Sequence, residues 1–182
     1  MWVLMRWLAI AGLGIFIMAS DANARDLENT IYLDLKDGRV VIVLRPDLAP
    51  NHVARIKELA REGFYDGLKW HRVIDGFMAQ TGDPKGNGTG GSGQNIKAEF
   101  SDESHVRGTV SMARSQRPDS ADSQFFIVFA PSSWLDREYT VWGQVTEGMD
   151  FVDQIKKGEG QSGSVDDPVD VIVRMQVAVD TR

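Results

Sequence analysis

The chain has 182 residues, 42% of them apolar and 25% charged, with a formal net charge of −6. That length favours one domain with a core large enough to bury most of its unfolded surface, and the acidic balance speaks against a broad nucleic-acid footprint, which needs clustered Lys and Arg. The absence of cysteine excludes disulfides, zinc–thiolate sites, a lipidated cysteine and a thiol nucleophile.

Met1 to Arg6 is short and carries one positive side chain; Trp7 to Ala19 is an unbroken apolar run, and Ala22 and Ala24 follow in an A-x-A arrangement. This is the layout of a secretory signal peptide cut after Ala24. The run is short for a membrane span, which wants ~20 residues, so a retained anchor is the lesser reading. The expected organisation is a signal peptide over residues 1–24 and one domain over 25–182, periplasmic or secreted, with no membrane association after cleavage.

Thr30 to Leu35 and Arg39 to Leu44 are rich in Ile, Val and Leu and are separated by Lys36-Asp37-Gly38, a strong hairpin signal. Pro50 then opens a helical pattern that places Val53, Ile56, Leu59 and Ala60 on one face, with Gly63 as its stop. Short strands are expected over Lys69–Ile74, Phe77–Thr81, Thr109–Arg114, Gln124–Phe129 and Thr140–Val145, and a second short helix over Gly148–Lys157. In the last segment Val171, Val173, Met175, Val177 and Val179 alternate with Ile172, Arg174, Gln176 and Ala178. About eight strands with two helices and turns between strands favour a closed antiparallel barrel or a sandwich over βαβ units. Asp83–Asn95, Ser115–Ser123 and Gly158–Pro168 are long polar connections.

The obvious catalytic patterns are missing. Gly86, Gly88 and Gly91 fit G-x-G-x-x-G, but Ser92-Gly93-Gln94-Asn95 follows instead of a helix, so the motif reads as a tight glycine turn and no nucleotide site is expected. His52, His71 and His105 have no metal-ligand spacing; His71 reads as a hydrogen-bonded strand histidine. Asp102, Glu103, Asp119 and Asp122 read as solvated loop acids without the order of a calcium loop. No metal and no cofactor is expected. Phe125 and Phe126 are neighbours in one strand and must point to opposite faces. One of those faces therefore packs under a helix or loop, or lines an exposed apolar pocket. Arg72 and Gln80 beside Phe77 and Met78 have the make-up of such a pocket, mostly apolar walls with a few oriented donors.

The stretches WHRVIDGFMAQTGD with GNGTGG, SMAR with DSADSQFFIVFAPSSWLD, and VWGQVTEGMDFVDQI resemble, in order, the signature regions of the cyclophilins, a class of peptidyl-prolyl cis-trans isomerase. The resemblance runs from about Thr30 to Val179. It implies a closed eight-stranded antiparallel barrel capped by two helices, with the active site on its outer face. It makes Arg72 the catalytic arginine and Gln80 the glutamine that orients it and bonds the substrate backbone. It further implies that Phe77, Met78, Phe125 and Leu135 form the proline-ring pocket, that Ala113, Arg114 and Gln124 are a peptide-contacting edge, and that Trp134 is the tryptophan associated with cyclosporin binding. Many eukaryotic members carry asparagine at the position of Arg114 and histidine at that of Tyr139; both replacements look like bacterial members. Arg114 is expected to add a charged donor where the substrate backbone passes.

The implied partners are proline-containing unfolded or flexible polypeptides acting on a monomer, with cyclosporin-type inhibitors as a further ligand class that Arg114 and Tyr139 bring into question. Two other readings stay open on residues alone: a proline-peptide-binding chaperone or docking module without turnover, and a barrel carrying a small apolar ligand, the latter opposed by bulky residues at inward positions.

Overall fold

The computed structural model describes residues 26–181. The expected signal segment and its cleavage site lie outside the described residues. Eight strands follow in chain order: β1 (Thr30–Leu35), β2 (Gly38–Leu44), β3 (Arg72–Ile74), β4 (Met78–Thr81), β5 (Thr109–Met112), β6 (Phe125–Val128), β7 (Val141–Glu147) and β8 (Arg174–Val177). Helix α1 (Pro50–Arg61) lies between β2 and β3, and α2 (Met149–Asp153) between β7 and β8.

All pairings are antiparallel, in the order β3-β4-β6-β5-β7-β2-β1-β8. Register shifts at Val41/Ile42 and Val110/Ser111 add local twist where β7 meets β2 and β5. The sheet curls into a half-barrel, and no ladder joins β3 to β8. That seam is stitched by the Lys69–Val171 bridge and by the Trp70 N–H to Asp170 carbonyl bond of 2.9 Å. The expected closed barrel is thus an open one with a covered edge, which blunts the hazard of unpaired strand groups.

The concave side is filled. Ile31, Leu33, Ile42, Val73, Ile127 and Met175 join Trp70, Phe125 and Trp142 in one buried cluster. Phe125 meets Trp142 at 5.4 Å and Tyr65 at 5.5 Å, both edge-on, the geometry that aromatic quadrupoles favour. An interior occupied by these rings opposes the reading as a carrier of a small apolar ligand.

Helix α1 buries His52, Val53, Ile56, Leu59 and Ala60, the stripe its periodicity marks. Its N-cap residue, Ala49, supplies no side-chain bond. Glu99, distant in sequence, accepts the free N–H groups of Asn51 (3.1 Å) and His52 (3.0 Å) and approaches His52 Nδ1 at 2.6 Å, so the orphan donors of the first turn are satisfied from outside the helix.

Two elements differ from their expected extent. Helix α2 stops at Asp153 because the Lys156 N–H turns to Asp170 Oδ2 (2.7 Å) and the Gly158 N–H to the Val73 carbonyl (2.9 Å), away from the helix ladder. In the last segment the alternation breaks before β8. Ile172 is fully buried while Val173 is 55% exposed. Ile172 N–H bonds Leu68, Val173 N–H bonds Asp34, and the strand regains its inward phase only at Met175.

Candidate active site

The β3–β4 hairpin builds the centre. Arg72 pairs with Gln80, Val73 with Ala79 and Ile74 with Met78. Val73 and Ala79 point into the filled interior and are fully buried, so Arg72, Met78 and Gln80 stand on the outer face. Arg72 Nη1 donates to Gln80 Oε1 (3.2 Å), and its Nε donates to the Ser162 carbonyl (3.0 Å). Gln80 Nε2 donates to Gln124 Oε1 (2.9 Å), and Gln124 Nε2 donates to the carbonyls of Gly88 (3.1 Å) and Gly90 (2.8 Å). The guanidinium is thus held on two edges, and its orientation is transmitted to the glycine loop. Its Nη2 makes no hydrogen bond among the described residues, and Arg72 lines a cavity.

That cavity encloses about 450 Å³. Met78, Phe126 and Leu135 form a second buried apolar cluster, separate from the interior, against which Phe77, Ala113 and Tyr139 pack. These apolar groups make one side of the cavity, and Arg72, Gln80, Arg114, Ser162 and Ser164 add polar lining. Trp134 is 65% exposed and stands at the rim, its ring 5.5 Å from that of Phe77.

Phe125 is not part of this wall. It faces the interior, and its neighbour Phe126 lines the cavity. The pairing settles the parity: Phe126 lies opposite the outward Gln80, and Phe125 opposite the buried Thr81.

Gln124, Ala113 and Arg114 border an adjoining recess of about 340 Å³ floored by the glycine loop. Arg114 is spoken for. Its Nε donates to the Glu138 carbonyl (2.9 Å), its Nη1 to the carbonyls of Ser115 (2.9 Å) and Gln116 (3.3 Å), and its Nη2 to Glu138 Oε2 (3.2 Å). The same group lies 4.7 Å above the Tyr139 ring, a cation–π arrangement. The expected free donor is instead a strap that ties the loop after β5 to the segment before β7.

The glycine motif has an internal occupant. Asp83 is almost fully buried and accepts from the N–H groups of Lys85 (2.7 Å), Asn87 (3.0 Å) and Gly88 (2.6 Å). Burial alone would push its carboxyl up, but these amides hold it below the usual carboxylate range. Consecutive N–H groups make an anion nest, and here the chain fills it with its own carboxylate. A Cβ on Gly90 would fall 2.0 Å from Asp83 Oδ1, and one on Gly91 would fall 2.6 Å from Asp122 Oδ2, so the loop admits no side chain at either position. Asp122 accepts from Ser92 N–H (2.7 Å) and Gly93 N–H (2.9 Å), and Asp119 from Ala98 N–H (2.9 Å). Asp122 is a part-buried loop anchor, which corrects its solvated reading, whereas Asp119 is exposed as expected and also ties the loop.

His71, Phe126, Ser162, Ser164 and Val165 also line the cavity and were not identified from the sequence. His71 is 8% exposed and immediately precedes β3, its ring nitrogens buried near the Lys69 backbone and the Gln124 side chain. Desolvation lowers its pKa from the ordinary imidazole value, against the opposing pull of Asp83. The Gly158–Pro168 stretch, legible only as a flexible connection, brings the Ser162 carbonyl to Arg72.

The family model described as "Cyclophilin type peptidyl-prolyl cis-trans isomerase/CLD" matches residues 30–177. The chain belongs to the cyclophilin family. This cyclophilin is 56% identical over 174 residues to a probable peptidyl-prolyl cis-trans isomerase of Brucella suis, covering 88% of each chain. It is 45% identical over 133 residues to peptidyl-prolyl cis-trans isomerase B of Bacillus subtilis, covering 71% of this chain and 92% of that one. Among solved structures it resembles cyclophilin AquaCyp293 from Hirschia baltica, with a TM-score of 0.76 and 28% identity over 86% of this chain and 76% of that one. It also resembles a Cryptosporidium parvum cyclophilin determined in the presence of the dipeptide Ala-Pro, with a TM-score of 0.73 and 25% identity over 81% and 98% of the two chains. The cyclophilin is a peptidyl-prolyl cis-trans isomerase, and the reading as a binding module without turnover gains no support.

Proposed function

We propose that this cyclophilin rotates X-Pro bonds of flexible polypeptides by seating the proline ring against Met78, Phe126 and Leu135 and stabilising the twisted amide with Arg72. The barrier to be lowered is ~18–20 kcal/mol, because resonance flattens the amide. Rotation breaks no bond to carbon and removes no proton from the substrate, so neither a nucleophile nor a base is needed. As the amide twists, the proline nitrogen becomes pyramidal and recovers its lone pair. A guanidinium placed to bond that lone pair, or the twisting carbonyl, binds the twisted form more tightly than the planar one. The apolar wall excludes water and strengthens that interaction.

The observation that carries this reading is the position of Arg72, anchored by Ser162 and Gln80 and lining the same cavity as Met78, Phe126 and Leu135. The presence of Ala-Pro with the Cryptosporidium parvum relative supports proline peptides as the substrate class. In a coupled assay on an X-Pro peptide, Arg72→Ala is expected to lower kcat/KM by about 100-fold, as loss of one oriented donor does elsewhere, with the fold intact by circular dichroism. Activity near wild type in that variant refutes the role.

We also infer export to the periplasm or exterior from the layout of Met1 to Ala24. Fractionation with N-terminal sequencing tests it, a mature start at Arg25 being the expected result. A monomer and competition by cyclosporin-type inhibitors complete the reading. Trp134 beside Phe77 offers an apolar ring for the inhibitor, and the donors of Arg114 are engaged by Glu138 and Ser115.

A further inference from the structure

Strand β3, which carries Arg72, ends the sheet and has β4 on one side only. Its other edge is covered by the segment over residues 158–165. The Val73 N–H donates to the Gly163 carbonyl (2.7 Å), the Val73 carbonyl accepts the Gly158 N–H (2.9 Å), and the Val165 N–H donates to the His71 carbonyl (3.2 Å). Arg72 stands opposite Ser164 in an antiparallel bridge. Both main-chain groups of Val73 are thus spent on this one segment. From the same segment comes the Ser162 carbonyl that accepts Arg72 Nε at 3.0 Å.

The shape of the segment depends on two glycines. It folds back on itself, with the Glu159 N–H on the Ser164 carbonyl (3.1 Å) and the Gly163 N–H on the Glu159 carbonyl (3.3 Å), and Ser162 lies in the turn so closed. A Cβ on Gly158 would overlap the Gly163 carbonyl and fall 2.6 Å from the Ser164 carbonyl oxygen. Gly163 has a φ of +69°, and a Cβ there would run into Ile74 Cγ1 and lie 3.1 Å from the Val73 carbonyl. Neither position takes a side chain without moving the turn or β3.

The base of the segment is closed by Lys156. Its N–H donates to Asp170 Oδ2 (2.7 Å), and its Nζ donates to the carbonyls of Asp166 (2.6 Å) and Pro168 (3.3 Å). Asp170 is held in turn by Lys36 Nζ at 2.7 Å and accepts the Trp70 N–H on its own carbonyl at 2.9 Å. One side chain therefore joins the two ends of the loop to the seam beside β3.

This docking matters to the guanidinium because of its planar fork. Gln80 alone, bonded to Nη1, would leave the group free to pivot about that contact. A second acceptor on Nε fixes the plane as well as the direction. A donor oriented before the reaction needs no reorganisation in the transition state. Lys156, Gly158 and Gly163 do not line the cavity, so they reach the substrate only through Arg72.

We propose that Lys156, Gly158 and Gly163 are positioning residues for Arg72, holding segment 158–165 on the edge of β3 so that the Ser162 carbonyl fixes the guanidinium plane. The inference rests on the reading of Arg72 given above.

The test combines kinetics on an X-Pro peptide with NMR of the arginine side chains. In wild type the Arg72 Nε–H, assigned by its loss in Arg72→Ala, is expected to exchange slowly with water. Gly158→Ala and Gly163→Ala should speed that exchange and lower kcat about five- to tenfold, short of the ~100-fold that a 1 Å misplacement can cost. KM should stay within about twofold, because Met78, Phe126 and Leu135 are untouched. Lys156→Met, at an exposed position, should share the pattern. Added to Arg72→Ala, Gly158→Ala should lower kcat no further, whereas a general loosening of the fold would still cost activity. Free exchange of the Arg72 Nε–H in wild type, kcat within about twofold of wild type in the folded variants, a loss carried by KM alone, or an additive loss in the double variant overturns the proposal. If the glycine variants do not fold, Lys156→Met and the wild-type spectrum decide. If Arg72→Ala itself keeps full activity, the reading of Arg72 falls and takes this one with it; if Arg72→Ala is impaired and the loop variants are not, only the positioning role falls.

Discussion

Phe125 and Phe126 are consecutive in β6, yet one packs edge-on against Trp142 inside the sheet and the other edge-on against Tyr139 in the cavity wall, at 5.4 and 5.7 Å. Stability and binding are therefore assigned to neighbouring rings. Phe125→Ala should cost about 3–5 kcal/mol of unfolding free energy, as large core truncations do, with modest effect on the KM of the remaining folded enzyme. Phe126→Ala should raise KM for an X-Pro peptide by about tenfold, in keeping with the loss of one well-buried apolar contact of ~1–3 kcal/mol. Denaturant unfolding and the coupled assay separate the two, and a reversed pattern would reassign the rings.

Arg72→Lys keeps a positive charge but not the fork that spans Ser162 and Gln80. A flexible ammonium cannot hold both acceptors and present a third edge. We expect kcat/KM to fall by about 10- to 100-fold, toward the loss seen when an oriented donor is removed, with an unchanged melting temperature. Retention of full activity would show that charge alone suffices.

Asp83→Asn preserves shape but removes the charge that gathers the amides of Lys85, Asn87 and Gly88. The expected loss is about 1–3 kcal/mol, the range for hydrogen bonds to a charged group, with faster hydrogen exchange at those three amides. Its folded pKa is depressed, so its contribution is present above the unfolded value of ~3.9 and lost as pH falls through the folded one. The variant should therefore show a shallower acid limb in its stability profile.

Isomerase activity should be nearly flat between about pH 6.5 and 8, because guanidinium groups stay charged there and burial lowers the pKa of His52, His71 and His105. Groups with depressed folded pKa bind more protons when unfolded. Stability from these histidines is thus complete above ~6.5, their unfolded value, and declines as pH drops through the folded values. Thermal melts from pH 8 to 5 should show the midpoint falling mainly below that point. A steep activity limb within the flat range would place a titrating group in the chemistry.

The hairpin over β1 and β2, the start and stop of α1 and the outward Arg72–Gln80 pair could be read from local pattern, because turn chemistry, helix periodicity and strand alternation are short-range. The resemblance of three separated stretches carried the family and pointed to Arg72, Phe77, Met78, Gln80, Leu135 and Tyr139, which line the cavity. What escaped had long-range causes. Phe125 was mistaken for Phe126 because strand parity is defined by the partner strand, here by Gln80 opposite Phe126. Helix α2 ended early because Asp170 captured an amide. Ser162 bore no sequence signal, since its contribution is a backbone carbonyl.

By itself the sequence determined that about eight apolar strands and two helices would form, that the glycine stretch would be a tight turn, and that one arginine would stand among large apolar groups. Those outcomes follow from backbone sterics and from the period of burial, which act between near neighbours. Only the tertiary structure decided which phenylalanine walls the cavity, which carboxylate fills the glycine nest, and that Arg114 lines the cavity with its donors tied to Glu138, Ser115 and Gln116. Each of these depends on which donors and acceptors, far apart along the chain, are brought within hydrogen-bonding distance when the sheet curls.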